Sequence, residues 1–277
     1  MPELPEVETI KRDLNKELKG RKILKLKFYD WAKMLKPDPK SVAEAIEGKK
    51  IKNFDRRAKL LLVHLDDHGT TIAIHLKLSG QFLLKKPADP PDRFTHIVIE
   101  LDKGEELRFN DLRKFGFMKV VRDKGELEKL LSEFGPEPLT PEFTLETFKK
   151  IVTKSSVKIK TVIMDQGKIS GVGNIYADEA LWYAKIHPER RADKLSDKEL
   201  KDLYDAILFV IKEGIDDRGT SVDQYLDIYS KPGKHAKNLK VFRLNKEPCP
   251  RCGREIRKIR VNGRGTHYCP KCQPPYS

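Results

Sequence analysis

All four cysteines of this 277-residue chain fall in its last 29 residues, as Cys249-x-x-Cys252 and Cys269-x-x-Cys272. Sixteen residues, Gly253 through Tyr268, separate the pairs. That spacing suits two hairpin knuckles that bring four thiolates into a tetrahedron around one zinc ion. Pro250, Gly253 and Pro270 supply turn chemistry at the knuckles. No thiol is left over, so the expected site is closed and structural. Two disulfides and four free thiols are the competing readings. The spacing disfavours both, and a reducing cytosol, the expected compartment, disfavours the first. Arg254, Arg257, Lys258, Arg260 and Arg264 lie between the pairs, with Ile256, Ile259 and Val261 interleaved. A small hairpin of this kind reads as a phosphate or groove contact, or as a solvated basic face.

Upstream, the pattern divides in two. Residues 2–19 read as an amphipathic helix with Val7, Ile10, Leu14 and Leu18 on one face and Gly20 as its stop. Strand-like runs follow at 22–29, 59–65, 71–76, 81–84, 95–101, 106–110 and 117–121, with a short helix at 41–47. Many short strands with turn residues between them predict an antiparallel sandwich or barrel. Gly135-Pro136-Glu137-Pro138-Leu139 is a stiff connector and a domain boundary. Helical patterns then cover 144–154, 157–166, 174–184 and 196–216, the last opening on a capping-box match, Ser196-Asp197-Lys198-Glu199. A polar segment from Gly219 to about Leu239 is too long for a simple turn and reads as functional or mobile.

The chemistry concentrates at the start, Met1-Pro2-Glu3-Leu4-Pro5-Glu6-Val7-Glu8. With Met1 removed, Pro2 is a free secondary amine with a carboxylate beside it. Such an amine attacks a sugar C1′ and forms an iminium, and its pKa of about 8 leaves more of it neutral at pH 7 than a lysine. The plainer reading is a helix start, where proline and acids are both common. Charge adds a second pointer. Fifty-six Lys and Arg against 42 Asp and Glu give a net +14, which suits a polyanion such as nucleic acid, or a lysine-rich solvated surface. No run of 18 apolar residues occurs, and the acidic N-terminus does not read as a signal peptide.

Together these segments resemble the formamidopyrimidine-DNA glycosylase family over essentially the whole chain. The resemblance rests on residues 2–9, Arg56-Arg57-Ala58-Lys59, His75-Leu76-x-Leu78-Ser79-Gly80 and Asn110-Asp111-Leu112-Arg113-Lys114-Phe115-Gly116. It continues through the 135–139 connector, Gly171-Val172-Gly173-Asn174-Ile175-Tyr176-Ala177, Lys231-Pro232-Gly233 and the cysteine hairpin. It implies a multidomain α and β chain. The parts are an N-terminal antiparallel β-sandwich with flanking helices over 1–135, a helix–two-turn–helix domain over 136–240 and a zinc-finger β-hairpin over 241–277. A lesion-recognition loop at about 217–238 belongs to the second part.

The same resemblance implies base excision repair. A bifunctional glycosylase and AP lyase would excise 8-oxoguanine and formamidopyrimidines from duplex DNA through a proline Schiff base and β,δ-elimination. Pro2 is then the nucleophile, Glu3 the acid/base and Glu6 a positioning residue. Lys59 is a strand-borne lysine contacting phosphate beside the lesion. His75 lies near the DNA cleft, or is simply a hydrogen-bonded strand histidine. Leu78, Arg113 and Phe115 fill the gap left by the everted nucleotide, with leucine where the family usually has methionine. Asn174 contacts phosphate, with Lys158 and Lys160 as a basic approach, and Arg264 is the finger arginine. Ser221, Val222 and Tyr225 belong to the lesion loop. Structural zinc is the only cofactor expected. The expected partner is double-stranded DNA carrying an oxidised purine or abasic site, bound by a monomer acting in the bacterial cytoplasm at the nucleoid, with no membrane. Two alternatives stay open: the sister enzyme for oxidised pyrimidines, and a non-catalytic binder of damaged DNA.

Overall fold

The computed structural model describes residues 1–67 and 69–275. They form two compact units, Met1–Ser132 with Asp217–Ala236, and Glu133–Asp216 with Lys237–Ser277.

The first unit opens with helix α1 (Leu4–Leu18), which buries Val7, Ile10, Leu14 and Leu18. Strand β1 (Ile23–Phe28), the two-residue β2 (Leu35–Lys36) and helix α2 (Pro39–Ile46) follow, then β3 (Ile51–Arg57), β4 (Leu60–Leu65), β5 (Thr71–His75) and β6 (Gly80–Lys85). Strands β7 (Thr95–Leu101), β8 (Glu105–Asp111) and β9 (Phe117–Val121) and helix α3 (Lys124–Leu131) complete the N-terminal part. The strands make a four-stranded sheet, β1-β7-β8-β6, and a five-stranded sheet, β2-β9-β5-β4-β3. All pairings are antiparallel except β2 with β9. One apolar core joins both sheets and α1, with Phe82 and Phe109 stacked at 5.0 Å.

Besides the two-residue β2, strand β3 and helix α3 escape the sequence pattern, each for a physical reason. Strand β3 has a register shift between Ile51 and Asn53, so its buried Ile51 and Phe54 stand three apart instead of two. Asn15 of α1 grips it from the side: Nδ2 donates to the Phe54 carbonyl at 2.7 Å, and Oδ1 accepts its N–H at 2.9 Å. Helix α3 buries none of its residues and so shows no apolar stripe. It is fixed at its start by Asp123, whose Oδ1 accepts the Glu126 N–H at 2.8 Å.

The second unit contains helices α4 (Leu145–Thr153), α5 (Ile159–Met164), α6 (Asn174–Tyr183) and α7 (Asp197–Asp216), then the hairpin β10 (Arg257–Val261) and β11 (Arg264–Tyr268). The capping box of α7 forms as its sequence predicts. Ser196 N–H donates to Glu199 at 2.8 Å, and Glu199 N–H to Ser196 Oγ at 3.3 Å. Helices α6 and α7 pack closely at Gly214, where an added Cβ would lie 2.5 Å from the Tyr176 hydroxyl oxygen.

One grouping differs from the sequence reading. Residues 217–236 pack with the β-rich unit and not with the helices. Arg218 reaches Asp13 on α1 at 2.6 Å and Asp227 at 2.7 Å. Leu84 N–H of β6 donates to the Ile228 carbonyl at 2.8 Å, and Tyr225 and Ile228 join the core. A long polar stretch carries few apolar residues to advertise such docking; Tyr225 and Ile228 supply the apolar contacts and Arg218, Thr220 and Tyr229 the polar ones.

Candidate active site and nucleic-acid interface

In the first unit the N-terminal residues are buried, Pro2 and Glu3 among them. Glu6, 1% exposed, links them to the 217–236 segment. Its Oε2 accepts the Glu3 N–H at 2.8 Å and its Oε1 accepts the Thr220 N–H at 2.7 Å. Gly219 makes this approach possible. Its φ is +87°, and a Cβ there would meet Glu6 Cγ at 2.9 Å and the Tyr225 ring at 2.8 Å.

Lys59 is buried and stands in the two-residue turn between β3 and β4, ahead of the strand that the sequence reading began at that residue. The turn is shaped by Ala58 at φ +54° and by Arg56, which donates to the Ala58 carbonyl at 2.9 Å. Arg56 also donates to Glu8 Oε2 of α1 at 2.9 Å. Burial pushes the Glu8 carboxyl up, but Lys11 and Arg56 together hold it below the usual range. Lysine delivery therefore depends on an ion pair from α1, which sequence alone did not single out.

His75 ends β5 opposite Leu60, the residue after Lys59. Its Nδ1 accepts the Lys77 N–H at 2.9 Å, which leaves the ring proton on Nε2. Burial first, then Lys77 and Lys59, lowers its pKa to about 3. It is a neutral donor throughout the physiological range.

Asp111, fully buried, organises the turn that carries Arg113 and Phe115. Its Oδ1 accepts from the Ser79 hydroxyl and from Arg113 N–H at 3.1 Å, and its Oδ2 accepts Gly116 N–H at 2.8 Å. The turn is thereby held with Phe115 56% exposed and the Arg113 guanidinium 5.6 Å from its ring centre. Leu112 beside it is exposed too, whereas Leu78 is half-buried in its own turn. An aspartate inside an otherwise apolar and basic tract was the available sequence signal for this organiser.

Within the 217–236 segment, Ser221 is used internally. Ser221 Oγ donates to the Tyr225 carbonyl at 2.6 Å and accepts Gly233 N–H at 2.8 Å. Tyr225 is buried in the core, with its hydroxyl 3.5 Å from the Glu6 carbonyl. Both side chains shape the loop. Val222 is half-buried. A cavity of about 330 Å³ lies beside this segment, lined by Ser79, Gln81, Asn110, Asp111, Leu112 and Gln224 among others.

In the second unit, Asn174 begins α6 and donates through Nδ2 to the Gly265 carbonyl of the hairpin at 3.0 Å, while its buried Oδ1 has no hydrogen-bond partner among the described residues. Lys160, expected as a basic approach to phosphate, is instead 1% exposed. It pairs with Asp178 at 2.6 Å and donates to Thr266 Oγ1 at 2.7 Å. Asp178 also accepts the His267 N–H at 2.8 Å, so the group clamps the hairpin to α5 and α6. Lys158 is exposed and paired with Glu189. Arg264 is exposed at the rim of a cavity of about 270 Å³ between α5 and the hairpin tip.

The four cysteine sulfurs lie within 4.8 Å of one another, Cys249 and Cys272 4.0 Å apart and Cys252 and Cys269 3.4 Å apart. A tetrahedron with Zn–S bonds of about 2.3 Å has edges of about 3.8 Å, so the cluster fits a structural metal ion. Trp182 Nε1 donates to Cys249 Sγ at 3.4 Å and Cys272 N–H to Cys269 Sγ at 3.4 Å, the outer hydrogen bonds that thiolate ligands take.

Known proteins match this arrangement along its whole length. Residues 1–118 match the formamidopyrimidine-DNA glycosylase N-terminal domain, 134–225 its H2TH domain, and 246–275 the zinc finger found in FPG and IleRS. Formamidopyrimidine-DNA glycosylase of Herpetosiphon aurantiacus is 46% identical over 274 residues, covering 99% of this chain and 100% of that protein. The Listeria innocua enzyme of the same name is 41% identical over 274 residues, with the same coverage. Among solved structures, Lactococcus lactis Fpg with DNA containing an abasic site has a TM-score of 0.93 at 35% identity, covering 99% of this chain and 100% of that one. The same organism's Fpg with DNA containing an N7-benzyl-Fapy-dG has a TM-score of 0.92 at 35% identity and equal coverage. With three successive domain matches and relatives of 40–46% identity along its whole length, the chain belongs to the formamidopyrimidine-DNA glycosylase family.

Proposed function

We propose that the protein is a base-excision repair enzyme that removes oxidised purines from duplex DNA and then cleaves the strand as an AP lyase. One observation carries the reading: the Glu6 carboxylate joins the residues at the chain start to the 217–236 segment, in a water-poor setting. The chemistry requires a mature chain that begins at Pro2. Its nitrogen attacks C1′, the glycosidic bond breaks and the base leaves with a proton, giving an iminium once the sugar ring opens. Glu3 in its acid form gives a second proton to the ring oxygen as the C1′–O bond breaks, and is reprotonated from solvent. Loss of a C2′ proton expels the 3′ phosphate, and a further elimination expels the 5′ phosphate.

Lys59 supplies a buried cation for phosphate charge that develops during elimination. His75 offers a neutral Nε2–H to a phosphate oxygen at any physiological pH. The turn presenting Arg113 and Phe115 fills the space of the everted nucleotide, with Leu78 and exposed Leu112 as apolar neighbours. Asn174, Arg264 and the exposed Lys158 bind phosphate in the second unit. One zinc ion on the four cysteines holds the hairpin that carries Arg264. Double-stranded DNA is the partner.

Borohydride trapping on an abasic duplex tests the chemistry. Metal-replete protein with a free Pro2 is expected to form a covalent adduct, and Pro2→Gly to weaken it. A protein that releases base and cuts the strand with Met1 retained would refute the proline mechanism. Salt tests the partner: log Kd should change with log salt by about 0.9 per neutralised phosphate, and salt-insensitive binding would refute the phosphate contacts.

A further inference from the structure

Trp31 is 44% exposed and adopts φ +62°, a backbone conformation that bulky residues rarely take. It sits over two cations, Lys33 Nζ at 5.7 Å and Lys114 Nζ at 5.5 Å from its ring centre. Lys114 lies between Arg113 and Phe115, and it is also paired with Asp30. Asp30 in turn lies 3.7 Å from His96 Nδ1, and His96 Nε2 is 2.8 Å from the Asp111 carbonyl. The Trp31 turn is thus tied on both sides to the turn that presents Phe115. Nearby, Lys36 and Lys77 stand over Phe117 at 4.6 and 5.6 Å. Lys114 thus sets the exposed Trp31 ring beside the Arg113–Phe115 turn, and half-buried Phe117 carries a second pair of lysines.

That combination is what single-stranded nucleic acid binds. Lysines track the phosphates, and an aromatic face receives a base without regard to its identity. Cation–π contacts hold the indole in place before binding, so little side-chain freedom is lost when a base arrives. We propose that Trp31 is a second aromatic platform of the DNA interface, on which a base left unpaired where the duplex is opened stacks beside the Phe115 turn. The inference rests on the DNA-repair reading above and adds a contact to it.

The test measures binding of the full-length, metal-replete protein to three probes. These are a duplex with a tetrahydrofuran abasic analogue, the same duplex fully paired, and the single strand. Trp31→Ala is expected to weaken binding to the abasic duplex and the single strand by about 5- to 100-fold, with the paired duplex changed about twofold or less. Trp31→Phe should retain wild-type affinity within about threefold, which separates loss of an aromatic face from misfolding. A direct readout accompanies it. Only Trp31 and Trp182 contribute indole fluorescence, and Trp182 is buried. The difference in acrylamide quenching between wild type and Trp31→Phe therefore reports Trp31, and DNA should abolish it. Equal affinity of Trp31→Ala and wild type for the abasic duplex would overturn the platform while leaving the repair reading intact. So would an equal loss on the paired duplex, or quenching unchanged by bound DNA. Wild type that binds none of the probes would overturn both.

Discussion

Glu6 and Thr220 are joined by a 2.7 Å hydrogen bond across 214 residues of sequence. The same carboxylate takes the Glu3 N–H through its other oxygen at 2.8 Å. A single buried side chain therefore sets both the first helical turn, next to the proposed nucleophile, and the start of the loop expected to cover the everted base.

Replacing Glu6 by glutamine keeps its volume but puts an N–H₂ group against one of the two N–H donors. The loss of a charge-assisted bond is worth about 1.5–3 kcal/mol. Single-turnover base release is expected to slow about 10- to 100-fold for Glu6→Gln, with Kd for an abasic duplex changing far less. An equal loss in both would mean that Glu6 only supports folding of the unit.

His75 carries a prediction about pH. Its folded pKa of about 3 lies below the ordinary value of 6.5, so the unfolded chain binds the extra proton first. Stability from this group is full above pH 6.5 and is lost as pH falls toward 3. His75→Gln should flatten the pH dependence of unfolding free energy between pH 6 and 4, by an amount on the order of a few kcal/mol, as measured by urea titration. Between pH 6.5 and 9 the substitution should leave that dependence unchanged.

The hairpin is expected to depend on its metal. Stripping with a chelator, or Cys252→Ser, should abolish high-affinity DNA binding and loosen residues 246–275 in hydrogen exchange, while residues 1–118 stay protected. Zinc readdition should restore the stripped wild type. Retention of full protection in that segment after chelation would count against a structural ion.

Gly214 tests the helical unit independently of any chemistry. A methyl group there would lie 2.5–2.8 Å from atoms of the fully buried Tyr176 ring and hydroxyl. Gly214→Ala should therefore destabilise by about 1–3 kcal/mol, although alanine is the better helix former. A melting temperature equal to or above wild type would show that α6 and α7 can move apart freely.

Local pattern made a good part of this protein legible. Alternation in residues 71–76 and 95–101, the stripe of α7 and the Cys-x-x-Cys pairs all depend on neighbours within a few residues. Chain order alone carries such information, because strand and helix periods are local. The motif around residues 110–116 and the roles at the first eight residues were legible only through the family resemblance. Tertiary structure alone decided the rest. Strand β3 hid behind a register shift, Lys160 turned inward to Asp178, and Asp111 became the organiser of an exposed turn. Residues 217–236 joined the β-rich unit through Arg218 and Asp13, over 200 positions apart. A charged side chain reads the same in sequence whether it faces water or a partner. Which of the two it does depends on what distant segments bring to it, and on the large cost of burying it alone.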